Sequence, residues 1–221
     1  MKKNLTIPLL LLVCALPASA QNWSLGVRSG AFVFGDFVER RLRPVSSEPG
    51  QEPITYTLSA ATRPGLAIDL ERQMGERWAF RVEGTFVTSP LTLEDNSEDG
   101  TDIRSGDVDV TTFTVPLVFR VNRHGAFRLH LMAGPAYAIY KFEPPDRGAP
   151  IPVAGFTRNE WGVMGGGGIT WHVSERFGIE GSIADIVTTS PFDSDDTENL
   201  PGFDIPKPHN IHTTVGIRYR F

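Results

Sequence analysis

One cysteine in 221 residues, Cys14, sits within the first twenty and leaves the rest of the chain without a thiol. That excludes disulfides and any metal site built on cysteine. Long apolar runs are missing too. Beyond residue 20 no stretch approaches the roughly eighteen apolar residues of a helical membrane span, and no amphipathic helix of useful length is visible. Positive charge is in short supply: 21 Lys and Arg stand against 26 Asp and Glu. Two of those bases, Lys2 and Lys3, lie at the extreme N-terminus, so 19 remain against the same 26 acids. Such a balance argues against nucleic acid as a partner.

The first twenty residues read as a secretory signal. Lys2-Lys3 is a basic start, Leu9 to Val13 lead a short apolar core, and Ala18-Ser19-Ala20 is a small-residue cleavage site. The mature chain is expected to begin at Gln21. Val13 stands before Cys14 where a lipoprotein would place a small residue. About 200 residues then remain, enough for one domain. Their 40% hydrophobic content suits a soluble chain, but it also suits alternating membrane strands, whose hydropathy averages out.

Eight segments alternate apolar and polar residues, the period of a strand. They are Trp23 to Phe34, about Ala61 to Arg72, Trp78 to Thr88, about Val110 to Val121, Ala126 to Tyr140, about Asn159 to Val173, Phe177 to Thr188, and His209 to Phe221. About ten residues at a steep tilt cross a membrane. The connections alternate in length. Tight turns at Gln73-Met74-Gly75-Glu76, Asn122-Arg123-His124-Gly125 and Ser174-Glu175-Arg176 are interleaved with long, Pro-, Gly-, Ser- and acid-rich stretches near 35–60, 89–109, 141–158 and 189–208. An up-and-down barrel with both termini on one side sorts its connections this way.

Two faces emerge. Trp78, Phe80, Val82, Gly84 and Phe86 share one face of their strand, with Arg81 and Glu83 on the other. Inward-facing apolar residues would make a soluble, lipocalin-like cup. Two features argue for the opposite orientation. Trp78, Phe119, Phe127, Trp171, Phe177, Tyr219 and Phe221 all fall near the short turns, as one aromatic girdle. The polar faces use arginine rather than lysine, whereas solvated faces use lysine freely.

The final segment, Thr214 to Phe221, places Val215, Ile217, Tyr219 and Phe221 on one side and ends on an aromatic. Its Gly216, Tyr219 and Phe221 pattern resembles the assembly signal of bacterial outer-membrane β-barrels. With the eight segments and the loop asymmetry, the chain resembles the small eight-stranded barrels of the OmpA transmembrane-domain, OmpX and opacity-like group over residues 21–221. The resemblance implies an all-β fold: an eight-stranded antiparallel up-and-down transmembrane barrel with short periplasmic turns and four long extracellular loops, in the outer membrane of a Gram-negative bacterium. It implies outer-membrane lipid and lipopolysaccharide as surroundings, the barrel-assembly machinery as a partner of the last strand, and a monomer. It leaves no room for a periplasmic peptidoglycan-binding domain. Fold alone does not set function.

Alternation places Arg28, Asp69, Glu71, Arg81, Glu83, Arg120, Arg128, Glu160, Glu180, Arg218 and Arg220 on the polar face. Eight strands leave just enough interior for side chains, so these charges are expected to form a salt-bridged plug. Asp69 is expected opposite Arg81, and Glu180 near Arg218. His130 and His172, with Glu160 and Glu180, are ligand types for zinc, but without a tight spacing motif, and no metal or cofactor is expected. Acids crowd two connections, Glu94 to Asp109 and Asp193 to Asp204, and lack the spacing of a calcium loop. Arg40-Arg41-Leu42-Arg43 has the charge for lipopolysaccharide phosphates, but the favoured reading is a solvated run. A lipid A deacylase would need His-x-Ser on a lipid-facing strand, where this chain has His212-Thr213-Thr214. Gly165 to Gly168 is expected to permit curvature or make room for Arg128 or Tyr140. Asp185 alternates with apolar neighbours and is expected near the outer rim or at a bulge. The resulting expectation is an envelope structural or surface-interaction protein, not an enzyme, working through its loops. A small porin and a lipid-A-modifying enzyme are the alternatives.

Overall fold

A computed structural model describes residues 22–42, 54–95, 103–122, 125–144, 155–192, 203–204 and 207–221, and gives only the backbone path of 38–42, 54–55, 95 and 203–204. The proposed signal peptide lies outside the described residues.

Among the described residues, twelve strands form one antiparallel sheet: β1 Trp23–Phe34, β2 Val38–Leu42, β3 Ile54–Ala60, β4 Arg63–Gln73, β5 Trp78–Asp95, β6 Ile103–Thr114, β7 Leu117–Arg120, β8 Phe127–Glu143, β9 Phe156–His172, β10 Phe177–Thr188, β11 Phe203–Asp204 and β12 His209–Arg220. Strands β6 and β7 are one crossing of the barrel wall, interrupted at Val115-Pro116. Proline has no N–H for the ladder, yet the register with β5 and β8 is the same on both sides of the gap. Eight crossings result, and β1 pairs with β12 from Ser24↔Arg220 to Phe34↔Asn210. That pairing closes the barrel and removes the exposed edge that a terminal Tyr-x-Phe strand would otherwise present.

The apolar faces point outward. Val27, Leu70, Phe80, Val82, Leu131, Val163, Ile183, Val215 and Ile217 are exposed, while Arg28, Asp69, Arg81, Glu83 and Glu180 are buried. This is the inverse of a soluble barrel and of the lipocalin-like cup.

The strands run further toward the loop side than alternation alone suggests. β5 has 18 residues and β8 and β9 have 17 each, well beyond the roughly ten that cross a membrane. Short strands β2 and β3 also occupy a stretch read as loop. Ser, Thr, Pro and acids give these extensions a loop-like composition. Their inward positions are apolar, however: Leu58, Val87, Leu91, Val108, Tyr140 and Phe142 are buried together. Burial of that face stabilises pairing that composition does not announce.

Two neighbouring glycines of β9 separate two roles. A Cβ on Gly166 would lie 2.5 Å from the Ile183 carbonyl oxygen and 2.6 Å from Ala184 Cβ, while one on Gly165 would meet nothing within 4 Å. We expect Gly166→Ala to cost about 1–3 kcal/mol and Gly165→Ala to be neutral in urea unfolding of the refolded protein. Equal effects would mean that β9 and β10 do not approach this closely.

Candidate functional site

Period-two alternation on β1, β4, β5, β7, β10 and β12 sends charged side chains into the lumen, where most of them are buried. Four guanidinium groups and four carboxylates meet there. Arg81 Nε and Nη2 donate to Glu71 Oε2 at 3.0 and 2.7 Å, and Arg81 Nη1 donates to Glu180 Oε1 at 2.9 Å. Arg218 donates to Glu180 Oε2 at 2.5 Å, Asp69 Oδ1 at 2.7 Å and Ser24 Oγ at 3.0 Å. Arg28 donates to Asp69 Oδ2 at 3.1 Å, to Glu83, and to Ser182 Oγ at 2.5 Å. Arg120 reaches Glu71 Oε1 at 2.7 Å from the short-turn side. Four positive and four negative groups make the cluster neutral, and most of its lone pairs and N–H groups are satisfied. Such saturation is what makes a buried ionic network tolerable.

The network fills only part of the cross-section. Val118, Met132, Ala136, Met164, Ala184 and Ile186 form a buried apolar wall on the remaining side. Toward the loops, the lumen is closed by a second, apolar layer. The Phe37 ring is fully buried and stands edge-on to Tyr140 at 5.8 Å and Phe142 at 5.9 Å. Phe142 stacks on Phe156 at 4.5 Å and lies 5.2 Å from Phe192. The Tyr140 hydroxyl is held by Thr188 at 2.9 Å and Asn210 at 2.7 Å. At the short-turn end the lumen opens into a vestibule around Arg128, His172, Arg176 and Arg220.

Residues 6–221 match the family described as outer membrane protein beta-barrel domain. The chain belongs to that family. It is therefore an outer-membrane β-barrel protein of bacteria. Among solved structures it is similar to OprG from Pseudomonas aeruginosa, at 12% identity and a TM-score of 0.55, covering 91% of this chain and 97% of that one. It is also similar to Neisserial surface protein A, at 8% identity and a TM-score of 0.56, covering 90% and 97%. At these identities the likeness is one of fold. No curated protein matches the chain.

Several pairings in this barrel differ from those the alternation suggests. Asp69 stands opposite Glu83, not Arg81, whose register partner is Glu71. Arg81 Nε is still 3.6 Å from Asp69 Oδ1, because the long guanidinium spans neighbouring rungs. Glu180 and Arg218 are in direct contact. Glu160 does not join the network: it lies at the loop end of β9 and accepts a hydrogen bond from Thr189. Arg128 and Arg220 lie at the mouth, outside the cluster.

His130 comes within 3.9 Å of Glu180. His172 borders the same narrow cavity as His130 and Glu180, but Glu160 lies at the loop end, bonded to Thr189, so the two histidines do not share a site with both carboxylates. No group of three or more potential metal ligands occurs among the described residues. His212 is buried in the lumen, 5.3 Å from the Phe32 ring and 3.8 Å from Glu83, so it faces away from lipid. Gly168 makes room for His130, whose ring a Cβ there would approach to 2.8 Å. Neither Arg128 nor Tyr140 supplies the nearest atoms to a Cβ at Gly166, Gly167 or Gly168. Asp185 faces outward and is bonded to His209 at 2.7 Å near the loop-side end of β10 and β12.

The outward aromatics near the short turns pair across strands: Trp78 with Phe119 at 4.8 Å, Phe127 with Trp171 at 5.9 Å, and Phe177 with Tyr219 at 5.0 Å. Tyr219 also meets Phe221 edge-on at 5.3 Å. Gly216 lets β12 approach β1, since a Cβ there would lie 2.0 Å from the Val27 carbonyl oxygen. Of the acid-rich connections, Asp107 pairs with Arg104 at 2.7 Å, Asp109 accepts from Thr88 at 2.6 Å and Glu94 accepts from Ser59 at 2.9 Å. Residues 96–102 and 193–202 lie outside the described residues, as do the side chains of Arg40, Arg41 and Leu42, and Arg43 altogether.

The expectations drawn from the sequence stop at the charged positions and do not foresee the apolar cap. Its signal was present: Phe32, Phe34, Tyr140 and Phe142 keep the inward phase of β1 and β8 beyond the charged positions. Ser24, Ser182 and Thr214, which complete the network, carried no signal beyond phase.

Proposed function

We propose that the protein is a non-conducting barrel that acts as an envelope structural or surface-interaction component through its extracellular side. One observation carries this reading: the lumen is closed twice, by a neutral ionic cluster and, above it, by a layer of interlocked rings. Ions crossing it would have to displace both. The extended β5, β6, β8 and β9 project a rigid platform beyond the lipid, which suits presentation of loops to an extracellular ligand. The ring of Trp78, Phe119, Phe127, Trp171 and Phe177 serves as the inner aromatic girdle against outer-membrane lipid. Gly216, Tyr219 and Phe221 serve as the signal read by the barrel-assembly machinery. The charges of the lumen are structural, and no catalytic role is proposed for His212.

The test is single-channel recording of the refolded mature protein in a planar lipid bilayer. The wild type is expected to be silent, and Glu83→Ala is expected to stay silent because the ring layer remains. Steady ion-selective openings from the wild type, altered by Glu83→Ala or Arg81→Ala, would replace this reading with that of a small porin.

A further inference from the structure

The lumen cluster neutralises itself. Arg28, Arg81, Arg120 and Arg218 are matched by Asp69, Glu71, Glu83 and Glu180. The basic groups just below it therefore draw no counter-charge from it. Arg128, Arg176, Arg220 and His172 surround an open vestibule of about 620 Å³ at the short-turn mouth, and its acid is Glu175. Deeper in, Arg120 and Arg128 border a narrower chamber of about 40 Å³ where Glu71, already bonded to two arginines, is the other acid.

Two donors in this region are buried and have no hydrogen-bond partner, Arg120 Nη1 and Arg128 Nε. Arg128 makes no ion pair among the described residues and has Arg120 and Arg220 as electrostatic neighbours, both of like charge. Folding does not gather like charges around a cavity without cost. A recess in which one sign of charge predominates, with low-dielectric walls, concentrates the opposite ion. Guanidinium forks bind oxyanions in two-point contacts. A carboxylate has two oxygens and fills one fork. A phosphate has enough oxygens to engage Arg120 and Arg128 together while facing the outer arginines.

We propose that the periplasmic vestibule is a binding site for a phosphate group, with Arg120 and Arg128 as its inner donors and Arg176 and Arg220 as its outer field. The phosphate comes either from a soluble phosphate ester or from a phospholipid headgroup of the inner leaflet.

The test is calorimetric titration of inorganic phosphate into the full mature chain refolded in maltoside micelles, which contain no phosphate. Saturable binding is expected, weakened at least fivefold by Arg128→Gln and, independently, by Arg176→Gln, which lies on an exposed turn. Arg158→Gln, at the loop end, should leave it unchanged. Heat-modified gel mobility confirms that each variant is folded. No saturable binding, unchanged binding in both vestibule variants, or acetate binding as tightly as phosphate would overturn the proposal. Repeating the titration in micelles doped with phosphatidylglycerol separates the sources. Loss of phosphate binding there identifies the headgroup as the occupant, and retention identifies a soluble ester.

Discussion

Arg81→Ala is expected to destabilise the folded barrel by about 3–5 kcal/mol, the cost of stranding buried charge. Arg81 is 1% exposed and donates to both Glu71 and Glu180, with Asp69 and Glu83 also within 4 Å. Its removal leaves four carboxylates facing three guanidinium groups inside a low-dielectric wall. Arg81→Lys should recover only part of the loss, since a single ammonium group keeps the charge but cannot fork between two acids. Adding Glu71→Gln to Arg81→Ala should also recover part, because it restores charge balance. Urea unfolding of protein refolded in lipid vesicles, followed by the mobility difference between folded and unfolded forms, measures all three. A loss below about 1 kcal/mol for Arg81→Ala, well short of the range for a broken buried pair, would mean that water reaches the cluster and that the lumen is wet.

Phe37→Ala is expected to cost about 3–5 kcal/mol, as for a large ring removed from a packed core. Phe37 follows β1, outside any strand, yet its ring is wholly buried among Tyr140, Phe142 and Phe192. Its backbone N–H bonds to the Leu58 carbonyl at 2.9 Å, which ties the start of β2 to β3. Loss of the ring should therefore loosen the loop-side platform before the crossings. Hydrogen exchange would show this directly: amides of β2, β3 and the far ends of β5 and β8 should exchange faster, while those of β1 and β12 near Arg28 and Thr214 keep their protection. Uniform acceleration across the barrel would instead make the cap and the crossings one cooperative unit.

The fold class was legible because its determinants are local. Side chains of a strand change sides at every residue, so Trp78 to Phe86 reveals a greasy face without any partner strand. Tight turns and long connections likewise differ in composition. The Pro116 gap left the fourth crossing readable because the register does not shift across it.

Composition misled where it was read as loop. The stretch from Ser89 to Asp95 is polar enough for a connection, but Leu91 and Leu93 have a core to face, and so β5 continues. Phase alone could not show how that core closes, because its members come from β1, β3, β5, β6, β8 and β9, from Phe37 and from Phe192, some 160 residues beyond Phe32. The pairing of charges was equally out of reach. Asp69 meets Arg28 and Arg218, and Glu180 meets Arg81 across the lumen, 99 residues apart in sequence. Alternation sets the side of the wall on which a residue stands. Its height and its neighbours depend on the register and stagger of eight strands closing into one ring, and those are properties of the closed sheet rather than of any strand within it.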